Sequence, residues 1–430
     1  MDAAVPSASA GERGLAAVGR EYALVLAGLG VIALHVVDDN FLQPQPGTSA
    51  GDHLVSGLVP LAVLALGVAV YARVRAGLRA TIALTFGFLA TVGGAVEAGY
   101  YTVKIGPSGD DYTGLLMIPA GVLLLSVGVW TLWRTRRLDD SRRWRYLRRF
   151  LIGVASFVVF FELVLPIALS YGYTHAARPI VPAADLGVPY EDVTFTTSDG
   201  LELTGWYIPS KNGATVIAFP GRKGPQRQAR MLARHGYGVL LFDRRGEGES
   251  EGDPNALGWA GDRDLKAAIA YLQSRPDVDP DRIGGIGLSV GGELLLETAA
   301  ESDGLKAVVS EGAGIRSARE ALLVPGTAET LQLPVWLVST AATAVFSNHL
   351  PPPNLKDLVG RIAPRPVFLI YAGHGQGGEE LSADFYEAAG EPKTLWEIPE
   401  AGHTGGIDTR PEEYEQRVVA FFDDALLEGR

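Results

Sequence analysis

The sequence predicts two unlike parts in one chain. An all-α transmembrane bundle of about five helices covers residues 21–175, after a short tail (1–20). An α/β domain with a mostly parallel central sheet and a small apolar cap covers 185–430. Three observations carry this division. Apolar runs of membrane-crossing length crowd the first 179 residues. From about residue 180, short β-rich runs alternate with helical patterns, the signature of a parallel sheet covered on both faces. Charge divides at the same place: residues 1–179 carry a net +3 and residues 180–430 a net −15.

Composition sets the outer bounds. With 47% hydrophobic residues, 20% charged residues and a mean hydropathy of +0.15, the chain is too apolar to be disordered. Cysteine is absent, which excludes disulfide scaffolds, thiolate metal sites and a Cys nucleophile. The acidic second part argues against nucleic acid as a partner.

The five apolar runs are Tyr22–Val37, Leu54–Val74, Leu78–Tyr100, Tyr112–Trp133 and Phe150–Tyr171. The first is short, as a signal peptide would be, but four further spans follow it without a small-residue cleavage site. Arg13 and Arg20 precede the first run, and Arg73, Arg75 and Arg79 follow the second. Eight arginines from Arg134 to Arg149 precede the fifth, whereas the loops between are poor in basic residues. By the positive-inside rule the N-terminus is cytoplasmic, and an odd number of spans makes the second part extracytoplasmic, at the plasma membrane. His35, Glu97 and Glu162 lie in or near the spans. Glu162 sits mid-span, where a charge costs roughly 3 kcal/mol, so an interhelical hydrogen bond is the expected resolution, with a proton or substrate path as the functional alternative.

In the second part, Val193–Ile208 reads as a hairpin turning at Asp199-Gly200. Strands are expected at Thr215–Phe219, Gly238–Phe242, Arg282–Gly287, Lys306–Ser310, Pro366–Ala372 and Thr394–Ile398. Helices are expected at Gln226–His235, Gly261–Gln273, Gly292–Glu301, Ala383–Ala389 and Glu412–Glu428. Asp262 and Asp264, at the start of the second of these helices, are expected to cap it.

The pattern G-x-S-x-G places a serine on a tight strand-to-helix turn where glycines admit close backbone approach. It occurs three times. Around Ser49 it lies in an inter-span loop, and around Ser250 it is followed by Asp253-Pro254 rather than a helix. Only Gly287-Leu-Ser-Val-Gly291 lies between an expected strand and an expected helix, which makes Ser289 the candidate nucleophile. A hydroxyl needs a base to take its proton. His349 lies in an apolar, proline-rich stretch and His374 in a glycine-rich loop. His403, just after the last strand and before the final helix, is the candidate base, with His374 second.

Six segments together resemble the α/β-hydrolase superfamily, in its dienelactone-hydrolase-like and prolyl-oligopeptidase-like branch, over residues 190–430. They are Ser198-Asp-Gly-Leu-Glu-Leu, Pro220-Gly221, Phe242-Asp-Arg-Arg-Gly-Glu-Gly-Glu-Ser-Glu-Gly, Arg275-Pro-Asp-Val-Asp-Pro-Asp-Arg-Ile, Gly287-Leu-Ser-Val-Gly-Gly and Ala401-Gly-His403. The resemblance implies an oxyanion hole from the backbone amides of Val290 and Arg222, with Pro220 where relatives often carry His. The Arg222 side chain is expected either to meet an anionic substrate group or to be solvated beside Lys223. Relatives usually place an Asp a few residues beyond the seventh strand, whereas this chain has none there before Asp384, which is expected inside the next helix. Here that loop offers Glu379, preferred for its place near the apex, then Glu380, and Glu311 after the sixth strand is a third choice. The insertion at 313–360, with its Leu333–Phe346 run, is expected to form an apolar cap that suits an acyl chain, Pro334 and short length arguing against a sixth span.

These expectations describe a membrane-anchored serine hydrolase, an esterase or lipase-like enzyme working through an acyl-enzyme on a small ester or lipid, without metal or organic cofactor. The alternatives are an acyltransferase or serine peptidase on the same residues, and, from another class, a catalytically dead binding or transport accessory protein.

Overall fold

The computed structural model describes residues 10–104, 106–107, 109–135, 141–176, 178, 180–324 and 327–428. It divides into two compact units, Met1–Pro44 with Ser49–Ala177, and Gln45–Thr48 with Arg178–Arg430.

The first unit is helical: α1 (Ala10–Val37), α2 (Leu54–Tyr71), α3 (Ala76–Lys104), α4 (Asp111–Arg134), α5 (Arg142–Val159) and α6 (Leu165–Thr174). A π-turn, Asp38–Leu42, prolongs α1, and another, Phe160–Val164, joins α5 to α6. Five of the resulting rods are long and apolar enough to cross a membrane: Gly19–Leu42, Leu54–Tyr71, Ala76–Val96, Asp111–Arg134 and Arg143–Thr174. The first run is therefore longer than its apolar residues suggest. Asp38 can extend the helix because Thr113 Oγ1 (2.7 Å) and Gln43 Nε2 (3.0 Å) satisfy its carboxylate.

Helices α3 and α4 meet through small residues at heptad spacing. A Cβ on Gly94 would lie 2.6 Å from the Gly114 carbonyl, and one on Gly121 2.7 Å from that of Gly87. Close backbone approach of this kind drives association where the surroundings are themselves apolar. Glu21, fully buried, is met by Tyr71 Oη (2.9 Å) and Arg134 (3.0 Å). Glu162 is not so provided. Its Oε2 is buried in the second π-turn, and among the described residues it has no hydrogen-bond partner and the expected interhelical bond is not formed. The Glu97 side chain lies outside the described residues.

The second unit is built on one eight-stranded sheet: β1 (Glu191–Thr196), β2 (Glu202–Ile208), β3 (Thr215–Phe219), β4 (Gly238–Phe242), β5 (Ile283–Leu288), β6 (Ala307–Glu311), β7 (Val367–His374) and β8 (Lys393–Gly402). The order is β1-β2-β4-β3-β5-β6-β7-β8, with β2 antiparallel to both its neighbours and every other pair parallel. Its helices are α7 (Gln226–Arg234), α8 (Asp262–Ser274), α9 (Val290–Glu301), α10 (Ala318–Ala321), α11 (Thr327–Ser347), α12 (Leu355–Leu358), α13 (Leu381–Ala388), α14 (Gly406–Thr409) and α15 (Pro411–Phe422).

Alternation along the strands explains the two layers. In β4, Val239 and Leu241 join the core under α7 and α15, whereas Leu240 and Phe242 join the core under α8, α9 and α13. The strand order reverses between β3 and β5. In an open α/β sheet, ligands bind at such a switch point, beyond the carboxyl ends of the strands. Phe219 and Leu288 end there.

Asp264 departs from its expected role as a cap. It is fully buried and accepts from the Arg245 amide (3.0 Å) and guanidinium (2.8 Å), so it anchors the loop after β4. Burial raises its pKa, and Arg245 opposes that rise. Asp262 remains in the first turn and pairs with Lys266 (2.9 Å).

Candidate active site

Strand β5 ends in a sharp elbow. Ser289 has φ 53° and ψ −125°, a backbone region that L-residues seldom occupy, held between a strand buried from Ile283 to Gly287 and the start of α9. The elbow depends on its glycines. A Cβ on Gly287 would lie 2.4 Å from the Gly291 backbone, and one on Gly291 2.5 Å from the Phe219 carbonyl. Gly292 has the same constraint against Ser310 Oγ, at 2.4 Å. The strained turn lifts the Ser289 side chain clear of both elements.

His403 follows β8, and its Nε2 lies 2.9 Å from Ser289 Oγ. Its Nδ1 is hydrogen-bonded to Glu379, which stands in the loop between β7 and α13 and is 1% exposed. Glu379 also accepts from the amides of Ala372 (3.0 Å) and Gln376 (3.3 Å). Burial alone would raise the Glu379 pKa, but the bond to His403 and the two amides outweigh it and hold the carboxyl below its ordinary 4.5. The same bond raises His403 above 6.5, against desolvation. Three residues from three separate loops thus form one hydrogen-bonded line.

The other candidates are elsewhere. Glu380 is exposed at the start of α13. Glu311 is buried but takes Tyr414 Oη (2.7 Å) and the Gly406 amide (2.8 Å), fastening the segment after His403 rather than touching the imidazole. His374 is exposed at the end of β7, paired in register with Gly402. His349 lies near Arg245 and Arg263, and burial lowers its pKa. Ser250 is fully buried, donating to the Asp243 carbonyl (2.7 Å) and accepting from the Thr204 amide (3.0 Å), and Ser49 bonds Asp52 (2.7 Å).

Arg222 requires a correction. Its amide donates to Asp243 Oδ1 at 2.8 Å and is not free for an oxyanion. Its side chain, 3% exposed, grips Asp243 Oδ2 (2.7 Å) and Glu249 (2.7 Å), so it is neither solvated nor open to a substrate anion. Phe242-Asp243 ends the neighbouring strand, which places the acceptor against the β3 loop. The amide of Val290, first in α9, has no acceptor among the described residues.

Sequence reasoning missed two neighbours of the site. Glu293 lies one turn beyond Ser289, is buried, accepts from the Gly314 amide (3.0 Å), and is raised by desolvation to about 7. Arg316, 1% exposed, joins Glu297 (2.5 Å), Glu320 (3.0 Å) and the Pro353 carbonyl (2.5 Å), tying both ends of the insertion to α9. The four-residue spacing of Ser289, Glu293 and Glu297 on one helix was the available signal.

The insertion rises from the wall of this site. The Ile315 amide donates to the Gly377 carbonyl (2.8 Å) in the Glu379 loop, and α11 then runs for 21 residues, longer than expected.

A nucleophile elbow at the switch point of such a sheet, with acid and histidine on the following loops, defines a hydrolase-fold protein. The X-Pro dipeptidyl-peptidase (S15) family matches residues 176–362, a stretch holding the elbow and the insertion but ending before Glu379 and His403. An uncharacterized Mycobacterium tuberculosis protein is 31% identical over 241 residues, covering 54% of this chain and 78% of that one. The uncharacterized protein YfhR of Escherichia coli K12 is 28% identical over 297 residues, covering 64% and 94%. Among solved structures, a Pyrococcus furiosus esterase is 27% identical, with a TM-score of 0.47, covering 58% of this chain and all of that one. The chain belongs, through its second unit, to the α/β-hydrolase superfamily.

Proposed function

We propose that this chain is a membrane-anchored serine hydrolase that cleaves carboxylic esters through an acyl-enzyme. The observation that carries the proposal is the unbroken line Ser289–His403–Glu379, with 2.9 Å between hydroxyl and imidazole. Ser289 Oγ attacks the substrate carbonyl carbon while His403 Nε2 takes its proton. Buried, anionic Glu379 fixes the tautomer and stabilises the imidazolium. The tetrahedral oxyanion lies toward the free Val290 amide, a donor of a type worth about 3–4 kcal/mol in the transition state. Collapse expels the alcohol with the proton from His403. Water, deprotonated by the same imidazole, then releases the acid and restores Ser289. No step calls for a metal or organic cofactor.

Anchoring is supported by the five helices of membrane-crossing length. The alternation of arginine-rich and arginine-poor loops supports a cytoplasmic N-terminus and an extracytoplasmic hydrolase unit at the plasma membrane. The net −15 of residues 180–430 favours a small ester or lipid substrate over nucleic acid. Peptide cleavage is the second reading, favoured by the S15 match. Acyl transfer would use the same residues, with an alcohol or amine replacing water. A dead accessory protein would have no need of the intact line.

The deciding experiment compares the purified full chain on p-nitrophenyl esters and on Xaa-Pro p-nitroanilides. Ester turnover abolished in His403→Ala supports the proposal. Turnover of the anilide alone replaces esterase by peptidase, and turnover of neither refutes hydrolysis of both kinds.

A further inference from the structure

Helix α11 is built inside out. Leu331, Pro334, Leu337 and Ala341 recur at spacings of three and four residues and are exposed, Leu331 at 76% and Leu337 at 54%. The opposite face carries hydroxyls. Thr340 Oγ1 accepts from the Ala318 amide (2.9 Å), and Thr343 and Ser347 are buried, Thr343 Oγ1 without a partner among the described residues. A helix that meets water on its outer face has the reverse arrangement, with leucines inward.

The outward leucines are not scattered. Among the described residues of the second unit, the exposed large apolar side chains are Ile180, Tyr190, Leu322, Leu331, Leu337 and Leu350. Two lie on the tether before the sheet and four in the insertion. From Thr330 to Leu355 the chain contains no Asp, Glu, Lys or Arg, although the unit around it is strongly acidic. Exposed apolar side chains gathered on one uncharged stretch of an otherwise acidic unit mark an interaction site. A missing charge excludes a partner recognised by ion pairs, but costs nothing against hydrocarbon.

We propose that α11 docks into the surface of the lipid bilayer with Leu331 and Leu337 among the acyl chains, so that the site beneath it receives lipid-borne esters. The proposal rests on the membrane anchoring and ester chemistry proposed above. Chain length favours the bilayer as occupant. Between Thr174, the last residue of α6, and Glu191, the first of β1, the tether spans at most about 60 Å, so an anchored hydrolase unit always has the lipid surface within reach. The insertion begins against the Glu379 loop, and His349, two residues beyond α11, feels the charges of Arg245 and Arg263 after β4, so α11 leads from the β7 side toward the β4 side of the strand ends where Ser289 stands. An apolar helix lying in the interface buries one face among headgroups and upper acyl chains, as this one is shaped to do.

The chain has no cysteine, so single-cysteine variants of the full protein can be labelled with an environment-sensitive fluorophore. Leu331→Cys and Leu337→Cys test the proposal. Leu66→Cys on α2 reports the anchoring, and Glu412→Cys on α15 reports water. In phosphatidylcholine–phosphatidylglycerol nanodiscs holding one copy each, labels at 331, 337 and 66 should lose more than half their emission to lipid-borne nitroxide and little to iodide, with the reverse at 412. Labels at 331 and 337 that follow 412 while 66 follows lipid would overturn the docking and leave the anchoring intact. A label at 66 quenched by iodide would remove the anchoring, and this inference with it. Protection at 331 and 337 that appears only with two copies per disc assigns the face to a second copy and also overturns the proposal. Ser289→Ala should quench identically, so failure of the serine chemistry would be seen separately.

Discussion

Replacing Glu379 by Gln removes one buried negative charge while leaving the shape of the side chain nearly unchanged. In the native arrangement that carboxylate meets three donors: His403 Nδ1 and the amides of Ala372 and Gln376. A glutamine has one acceptor oxygen, so either the Ala372 amide or the imidazole faces an NH2 group. If the amide loses its acceptor, the cost to folding is about 1–3 kcal/mol, a fall in Tm of several degrees. If the imidazole does, His403 adopts the tautomer that cannot accept from Ser289. Loss of the charge that stabilises the imidazolium compounds either outcome. In comparable triads the corresponding change lowers kcat about ten-thousand-fold, roughly 5.5 kcal/mol of activation free energy. The pH profile gives an independent reading. Activity requires neutral His403, so in the native protein it falls as pH drops through a pKa held above 6.5 by Glu379. In Glu379→Gln the acid limb should move down toward 6.5. The stability signs follow from the same shifts. The contribution of His403 fades as pH rises through its raised folded pKa. That of Glu379 is present above 4.5 and fades as pH falls through its lowered one. The pair therefore stabilises most between these limits. The assay is stopped-flow ester hydrolysis from pH 5 to 9, with Tm measured alongside. Turnover within tenfold of native in Glu379→Gln would refute the reasoning. Glu380→Gln should be silent, and Glu311→Gln should lower Tm more than kcat.

Arg316→Met should cost about 3–5 kcal/mol, because Glu297 and Glu320 lose the cation that compensates their burial, and calorimetry on the full chain would show it. An unchanged Tm would mean the clamp is dispensable. A cysteine at Ser198 or Asp424 should react with an impermeant maleimide on intact cells, and one at Ser141 only after permeabilisation. The opposite pattern would place the hydrolase unit in the cytoplasm. Trp336 shares the inward face of α11 with Thr340 and Thr343 by helical spacing, so Trp336→Ala should shift the chain-length preference on p-nitrophenyl esters. A flat profile, unaltered by the substitution, would count against an acyl-binding insertion.

The sheet was legible because its strands are short, β-branched and bounded by turn residues. The expected runs at Thr215–Phe219 and Gly238–Phe242 coincide with β3 and β4. Ser289 could be separated from Ser49 and Ser250 because an elbow needs a strand before it and a helix after it, which are local signals. Arg222 and Asp264 were misjudged for a common reason. Each is neutralised by a partner about twenty residues away, Asp243 and Arg245, and that pairing exists only once β3, β4 and α8 are assembled. Helix α11 was underestimated because only the apolar run Leu333–Phe346 stood out, with Pro334 and its short length arguing against a span, whereas the helix runs through Pro334 from Thr327 to Ser347. Its reversed polarity is visible only when burial is known, since the sequence itself shows apolar residues and hydroxyls interleaved.

The central claim is that Ser289 is an activated nucleophile. The most direct test is reaction of the full chain with a fluorophosphonate probe, followed by mass spectrometry of the modified peptide. The account predicts one stoichiometric adduct on Ser289, absent in Ser289→Ala, strongly slowed in His403→Ala, and formed faster as pH rises through the pKa of His403. A native chain that remains unmodified, or is modified at another serine, would contradict it.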